Sequence, residues 1–352
     1  MSAVLPIPGA LPAAGPARSE STWRGAWRRF RSNRVGLWSL IVVAGFALLM
    51  LSSALGLVAG NWGAERAVAN APPTFVGPAP PPSAAVAQAP AGPPLDLTPV
   101  DPLAPRYREW AERAAQLATT EPTKLLTLPF GADRLGRDVL AKAVKGTQIS
   151  VFVGVLAALV ATLIGTVLGA LAGFFGGKVG DALEWLYNVF TAIPGILLIF
   201  AFAAVAGRGV QSVVLILGLT GWTGIYRLVR AEFIKHAVRD YVRAAEAVGA
   251  SAAARIFRHI LPNVSHVILV QLSILVVGFI KAEVILSYLG LGVSVDQVSW
   301  GTMLAEAQGE LILGYWWQLV AATAFMAVFV TAFSLMTDAM RDALDPKLRG
   351  LE

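Results

Sequence analysis

Six blocks of the chain are apolar without alternation, each long enough to cross a hydrocarbon core about 30 Å thick. They cover approximately 35–59, 148–175, 185–206, 210–230, 264–290 and 314–337. Their apolar residues fill every helical face, which predicts helices solvated by lipid rather than half-buried helices or strands. The polar stretches between them differ in kind. Residues 1–22, rich in Ala, Pro and Gly without periodicity, read as a disordered tail. Trp23 to Arg34 interleaves aromatics with arginines, the pattern of a helix lying on a membrane surface. The prolines scattered from Pro72 to Pro105 forbid a continuous helix or central strand over 61–128, where only Arg106 to Ala118 looks helical. The expected division is a tail and interfacial helix over 1–34, a first span over 35–60, a Pro-rich loop over 61–140, a five-helix core over 141–338, and a tail over 339–352.

Composition supports this all-α, polytopic membrane class. Of 352 residues, 56% are hydrophobic and 14% charged, with a mean hydropathy of +0.65. Soluble domains carry roughly 25% charged residues. There are no cysteines, which removes disulfides and thiolate metal sites, and no metal-ligating cluster is assigned. A net charge of +6 would suit nucleic acid, but the basic residues flank the spans, where topology accounts for them. Arg24, Arg28, Arg29, Arg31 and Arg34 put the start of the first span in the cytoplasm. Six crossings return the C-terminus there, with Arg341, Lys347 and Arg349, and place Lys235, Arg239, Arg243, Arg255 and Arg258 inside. No nucleic-acid partner is expected. The first apolar block begins near Val35, behind a basic segment too long for a signal peptide's n-region, so an uncleaved anchor is expected.

The inside segment 231–262 has apolar residues at 234, 238, 241, 245 and 248, one face of an amphipathic helix. Gly249 is placed to end it, Ser251 to cap a second short helix, and Pro262 to open the next span. A bent pair of short helices is predicted, its apolar stripe lying either on lipid or against a partner protein.

This segment resembles the signature loop of ABC-importer permeases. Ala244, Ala245, Gly249, Leu261 and Pro262 fall in register with that pattern. Arg243 stands in place of a Glu, with Glu246 spaced to pair with it, and His259 in place of an Ile. His259 within Arg-His-Ile-Leu-Pro-Asn is usual in the dipeptide, oligopeptide and nickel branch. Further motifs resemble the second, C-type permease of that branch: Phe130 to Asp138, which includes Asp133, Gly136, Arg137 and Asp138; Gly173 to Lys178; Pro194; Leu286 to Gly292 with Ser299-Trp300-Gly301; and Asp338 to Pro346. The resemblance implies a type I importer fold in a bacterial inner membrane. It implies as partners a homologous permease, two cytoplasmic ATP-binding subunits and an extracytoplasmic solute-binding protein. The chain itself would hold no cofactor, ATP and Mg being bound by partner subunits. Peptides are the implied cargo, with nickel chelates, opines and peptide antibiotics as alternatives.

Lys281 and Glu283 lie within a span, where an ionisable group costs roughly 2.5–3.5 kcal/mol and faces a bundle interior or cavity. With Asn188 and Gln271 they are the candidates for the translocation pathway. Asp133, Arg137 and Asp138 fit either a docking surface or a local salt-bridged cap, and Trp316 and Trp317 an interfacial belt. No Gly-x-x-x-x-Gly-Lys-Ser/Thr string exists, so ATP hydrolysis is not expected here. The three histidines, His236, His259 and His266, lie in or beside the 231–262 segment and give no Ser-His site. An ion-coupled secondary transporter would share the spans but gives no reason for the helix pair.

Overall fold

The computed structural model describes residues 22–78, 101–117, 124–294 and 296–344. The N-terminal tail, residues 79–100 and 118–123 of the Pro-rich stretch and the last residues of the family-like ending lie outside them. Twelve helices are described: α1 (Thr22–Ser32), α2 (Arg34–Ala54), α3 (Tyr107–Leu117), α4 (Val139–Phe175), α5 (Gly177–Ala192), α6 (Gly195–Ala206), α7 (Val210–Thr220), α8 (Thr223–Ala237), α9 (Asp240–Ala247), α10 (Ala252–Tyr288), α11 (Trp300–Ile312) and α12 (Trp317–Leu344). Five segments are long and apolar enough to cross a membrane, α7 and α8 counting as one, and six if the bent pair α5–α6 is one span.

α4 is the central post. Asp138 caps its start by accepting from the amides of Leu140 and Ala141. Its 37 residues reach about 55 Å, longer than a hydrocarbon core of about 30 Å, and the helix begins nine residues before the expected span. Gly165, Gly169 and Gly173 form a smooth stripe against α8: a Cβ at Gly169 would lie 2.7 Å from the Tyr226 carbonyl and one at Gly173 2.6 Å from that of Arg230. Small residues at this spacing let two helix backbones approach in lipid.

Ser53, near the end of α2, meets Gln148, near the start of α4, at 3.3 Å. The two helices therefore run antiparallel, and α4 ends where α2 begins. At that same end α1 buries Ala26 and Phe30, and Arg29 donates to the Ala343 carbonyl in the last turn of α12 at 2.8 and 3.1 Å. A cation on the last carbonyls of a helix satisfies them and complements the dipole.

Three elements differ from the sequence expectation. The block 185–206 is not one straight helix, because α5 and α6 meet at 87° around Ile193 and Pro194. Proline holds the residue before it extended, and Ile193 has φ −95° and ψ 130°. The second short helix of 231–262 is not separate. Ser251 does cap a helix start, accepting from the Ala254 amide at 3.2 Å, but the helix runs on through a π-helical stretch, Arg255–Ile260, and past Pro262 into the span. Residues 231–237 likewise belong to the helix of the preceding span. α11 was not expected; Ser299 and Thr302 cap it reciprocally.

Candidate functional site

α9 sits at the end of the bundle where α4 ends and α10 begins. Val242 and Ala245 are buried, Val242 in one cluster with Val229 and Phe233 of α8 and with Ile256 and Ile260 of α10. The turn after α9 depends on Gly249, whose φ of +86° disfavours any residue with a Cβ. Its amide bonds the Glu246 carbonyl at 2.9 Å, and the Ala250 amide bonds that of Ala245 at 2.9 Å, closing the helix end. Glu246 does not pair with Arg243 but with Arg255 across the turn, at 2.6 Å, and Arg255 stacks over the Phe174 ring. Arg243 and Ala244 are exposed, as are Val238, Tyr241, Val248 and Phe257, while His259 and Leu261 are half-buried and Pro262 exposed. The result is an apolar, arginine-edged surface on a helix held from beneath by its neighbours.

At the opposite end, Phe130 to Asp138 folds into a tight loop. Gly136, at φ +78°, lies so close to the Ala67 carbonyl that no Cβ fits. Asp133 is fully buried and accepts from the Leu135 and Arg137 amides, from Arg137 Nε at 2.7 Å and from Lys142 Nζ at 2.7 Å. Burial alone would push this carboxyl up. The charge and hydrogen bond of Lys142, with the Arg137 amide and guanidinium, outweigh it and hold it below the usual carboxylate range. Lys142, itself buried, also donates to Glu306 of α11 and to Gln318 of α12. Four segments thus converge on one ammonium. Trp317, expected in an interfacial belt, is instead buried, donating to the Ala132 carbonyl at 2.6 Å, while Trp316 stays partly exposed. Lys142 was missed in the sequence, where it reads as an ordinary flanking lysine.

The pathway candidates separate. Glu283 is sealed inside the packing, accepting from Ser150 at 2.8 Å and Ser287 at 2.7 Å. It does not share a face with Lys281, because two residues along a helix turn the side chain by about 200°. Lys281 is exposed on α10 and Asn188 exposed on α5, while Gln271 is half-buried. A cleft of about 710 Å³ lies between α5 and α8, with Glu184, Tyr187, Arg227 and Arg230 on its walls and none of the pathway candidates among its lining residues. Neither arginine was singled out in the sequence, where 210–230 passes as an apolar block with a basic end.

Comparison with known proteins adds the relatives. Residues 165–350 match the family described as binding-protein-dependent transport system inner membrane component, and residues 21–73 match the N-terminal TM domain of oligopeptide transport permease C. The dipeptide transport system permease protein DppC of Bacillus subtilis is 37% identical over 62% of this chain and 69% of its own. The oligopeptide transport system permease protein OppC of Escherichia coli K12 is 38% identical over 62% and 72%. The glutathione transport system permease protein GsiD of Salmonella typhimurium is 32% identical over 97% and 96%. A chain from an inward-facing structure of the MetNI methionine ABC transporter superposes with a TM-score of 0.49 at 15% identity, covering 58% of this chain and 96% of that one.

Proposed function

The chain belongs to the binding-protein-dependent transport system inner membrane component family, and on that premise we propose that it is one of two permease subunits of an ATP-driven peptide importer. Its relatives are named for dipeptides, oligopeptides and glutathione, which share a peptide bond and a free carboxylate. A second, homologous permease completes the pathway, two ATP-binding subunits dock on the cytoplasmic side, and a solute-binding protein delivers cargo from outside. Both termini and α9 are cytoplasmic in this reading, which agrees with the arginines of α1 and α9 at that end.

The observation that carries the proposal is α9. It presents Tyr241, Arg243, Ala244 and Val248 outward while Val242 anchors it to α8 and α10 and Ala245 is buried beneath it. A motion of a docked ATPase is thereby passed to two spans at once. The bundle is then the element with two arrangements, and nucleotide shifts its population only to the extent that the ATPases bind one arrangement better. Lys281, Asn188 and Gln271 belong to the pathway face, and Glu283 to the packing behind it.

Reconstitution of the four kinds of subunit in proteoliposomes tests this. Peptide should accumulate when ATP is supplied on the α9 side, without an ion gradient. Accumulation driven by an ion gradient in the absence of ATP would replace the importer with a secondary transporter.

A further inference from the structure

A second cleft, of about 1020 Å³, lies between the end of α2, the middle of α4 and the start of α7. One end of it is polar, with Gln148, Arg208 and Gln297. The rest is apolar, running along Phe152, Leu156 and Val160 of α4 with Leu215 of α7 beside them. Phe152, Leu156 and Leu215 are exposed. The charge at the polar end is one-sided. Arg208 is exposed and makes no hydrogen bond or ion pair among the described residues. Lys145, one turn before Gln148, donates to the Gln148 side-chain oxygen at 2.8 Å and has no carboxylate partner among them. No acid lines the cleft. Gln297 Oε1 is buried without a partner, an acceptor left open to a donor from outside the chain.

The dimensions say what fits. The polar residues stand at the level where the apolar blocks begin, Gln148 at the start of 148–175 and Arg208 just before 210–230. From Gln148 to Val160 is about 18 Å along the axis of α4, close to one leaflet of a hydrocarbon core about 30 Å thick. There the cleft ends, because α7 closes onto α4: a Cβ at Gly218 would lie 2.6 Å from Val160 Cγ1. A spanning helix from a partner needs a trough across the whole core. A trough one leaflet deep, cationic at the surface and apolar below, matches a phosphate with an acyl tail beneath it.

We propose that this cleft holds one phospholipid from the leaflet on the Asp133 side, with its phosphate on Arg208 and a tail along Phe152, Leu156 and Leu215. A headgroup donor then satisfies Gln297. In a bilayer a tail gains little by leaving other tails, so the hold on this lipid comes from the guanidinium and from shape. The lipid fills the gap between the first span and the core. The inference stands on the spans and does not depend on what the importer carries.

The test is native mass spectrometry of the tagged chain, with whatever subunits come with it, stripped of lipid in mild detergent and titrated with dioleoylphosphatidylglycerol. Wild type should take up one lipid in a saturable step. Arg208→Gln should weaken that step about tenfold, the loss of one charge-assisted hydrogen bond. Leu156→Trp, which fills the tail trough, should abolish it. Leu163→Trp, at an exposed position of α4 below the cleft, should bind like wild type. Identical titrations in all four proteins would mean bulk lipid around the spans and overturn the proposal. Competition by inorganic phosphate at equal concentration would mean a free-anion site and overturn it as well. So would loss, in Leu156→Trp alone, of subunits that wild type retains, since the cleft would then be a subunit interface. Should Leu156→Trp not fold, wild-type binding by Arg208→Gln is enough to overturn it.

Discussion

Lys142 shows how one residue can fasten a membrane protein from the inside. Its ammonium is shared by Asp133, Glu306 and Gln318, so replacing it leaves buried acids and an amide without their donor. Breaking a buried pair costs about 3–5 kcal/mol, whereas an exposed pair such as Arg113–Glu109 is worth well under about 1 kcal/mol. Lys142→Met should therefore melt many degrees lower in detergent, and Glu109→Gln should melt like wild type. Equal melting of Lys142→Met and wild type would refute the brace. The acid limb gives the same answer independently. Asp133 is held below its unfolded value, so its contribution is present above about pH 4 and is lost as pH falls through the lower, folded value. Removing Lys142 should move that loss to higher pH. The Asp133–Arg137 pair was readable as a local salt-bridged cap, but the place of Lys142 in it was not. Glu306 and Gln318 stand 164 and 176 residues from Lys142, and no local pattern joins them.

Among the helices, those dictated by hydrophobicity were the legible ones. The spans 35–59, 264–290 and 314–337 correspond to α2, α10 and α12, because lipid leaves the backbone no alternative to helix. Elements shaped by one residue or by distant packing were not. Pro194 was noted, yet its proline alone does not say whether the helix bends slightly or, as here, by 87°. α11 carries Glu306 and Glu310 and is too short to register as a span; its Glu310 accepts from the Arg134 amide, a contact no periodicity announces. The Gly165, Gly169 and Gly173 stripe is visible in the sequence, but that α8 is its partner is not. Gly249 tests the element that matters most. A Cβ there meets nothing within 4 Å, so the penalty of substitution is conformational, roughly 1–2 kcal/mol for a left-handed backbone. Gly249→Leu should leave the spans folded while tilting α9, so that ATP hydrolysis by the assembled importer continues and peptide accumulation falls severalfold. Wild-type accumulation in that variant would count against α9 as the coupling element.

For the molecule as a whole, orientation follows from the antiparallel run of α2 and α4, which puts α1, α9 and the end of α12 on one side. The chain has no cysteine, so single cysteines report without background. One at Ala250 should react with a membrane-impermeant maleimide only from the cytoplasmic side, and one at Ala64 only from outside. The reverse pattern would invert the topology and remove α9 from reach of any cytoplasmic ATPase.

The central claim is that this chain works only as part of an assembly, and its most direct test is purification of the tagged chain from its native membrane in mild detergent. A second permease and two ATP-binding subunits should come with it in fixed ratio. Recovery of this chain alone, under conditions in which a related importer stays whole, would contradict the account.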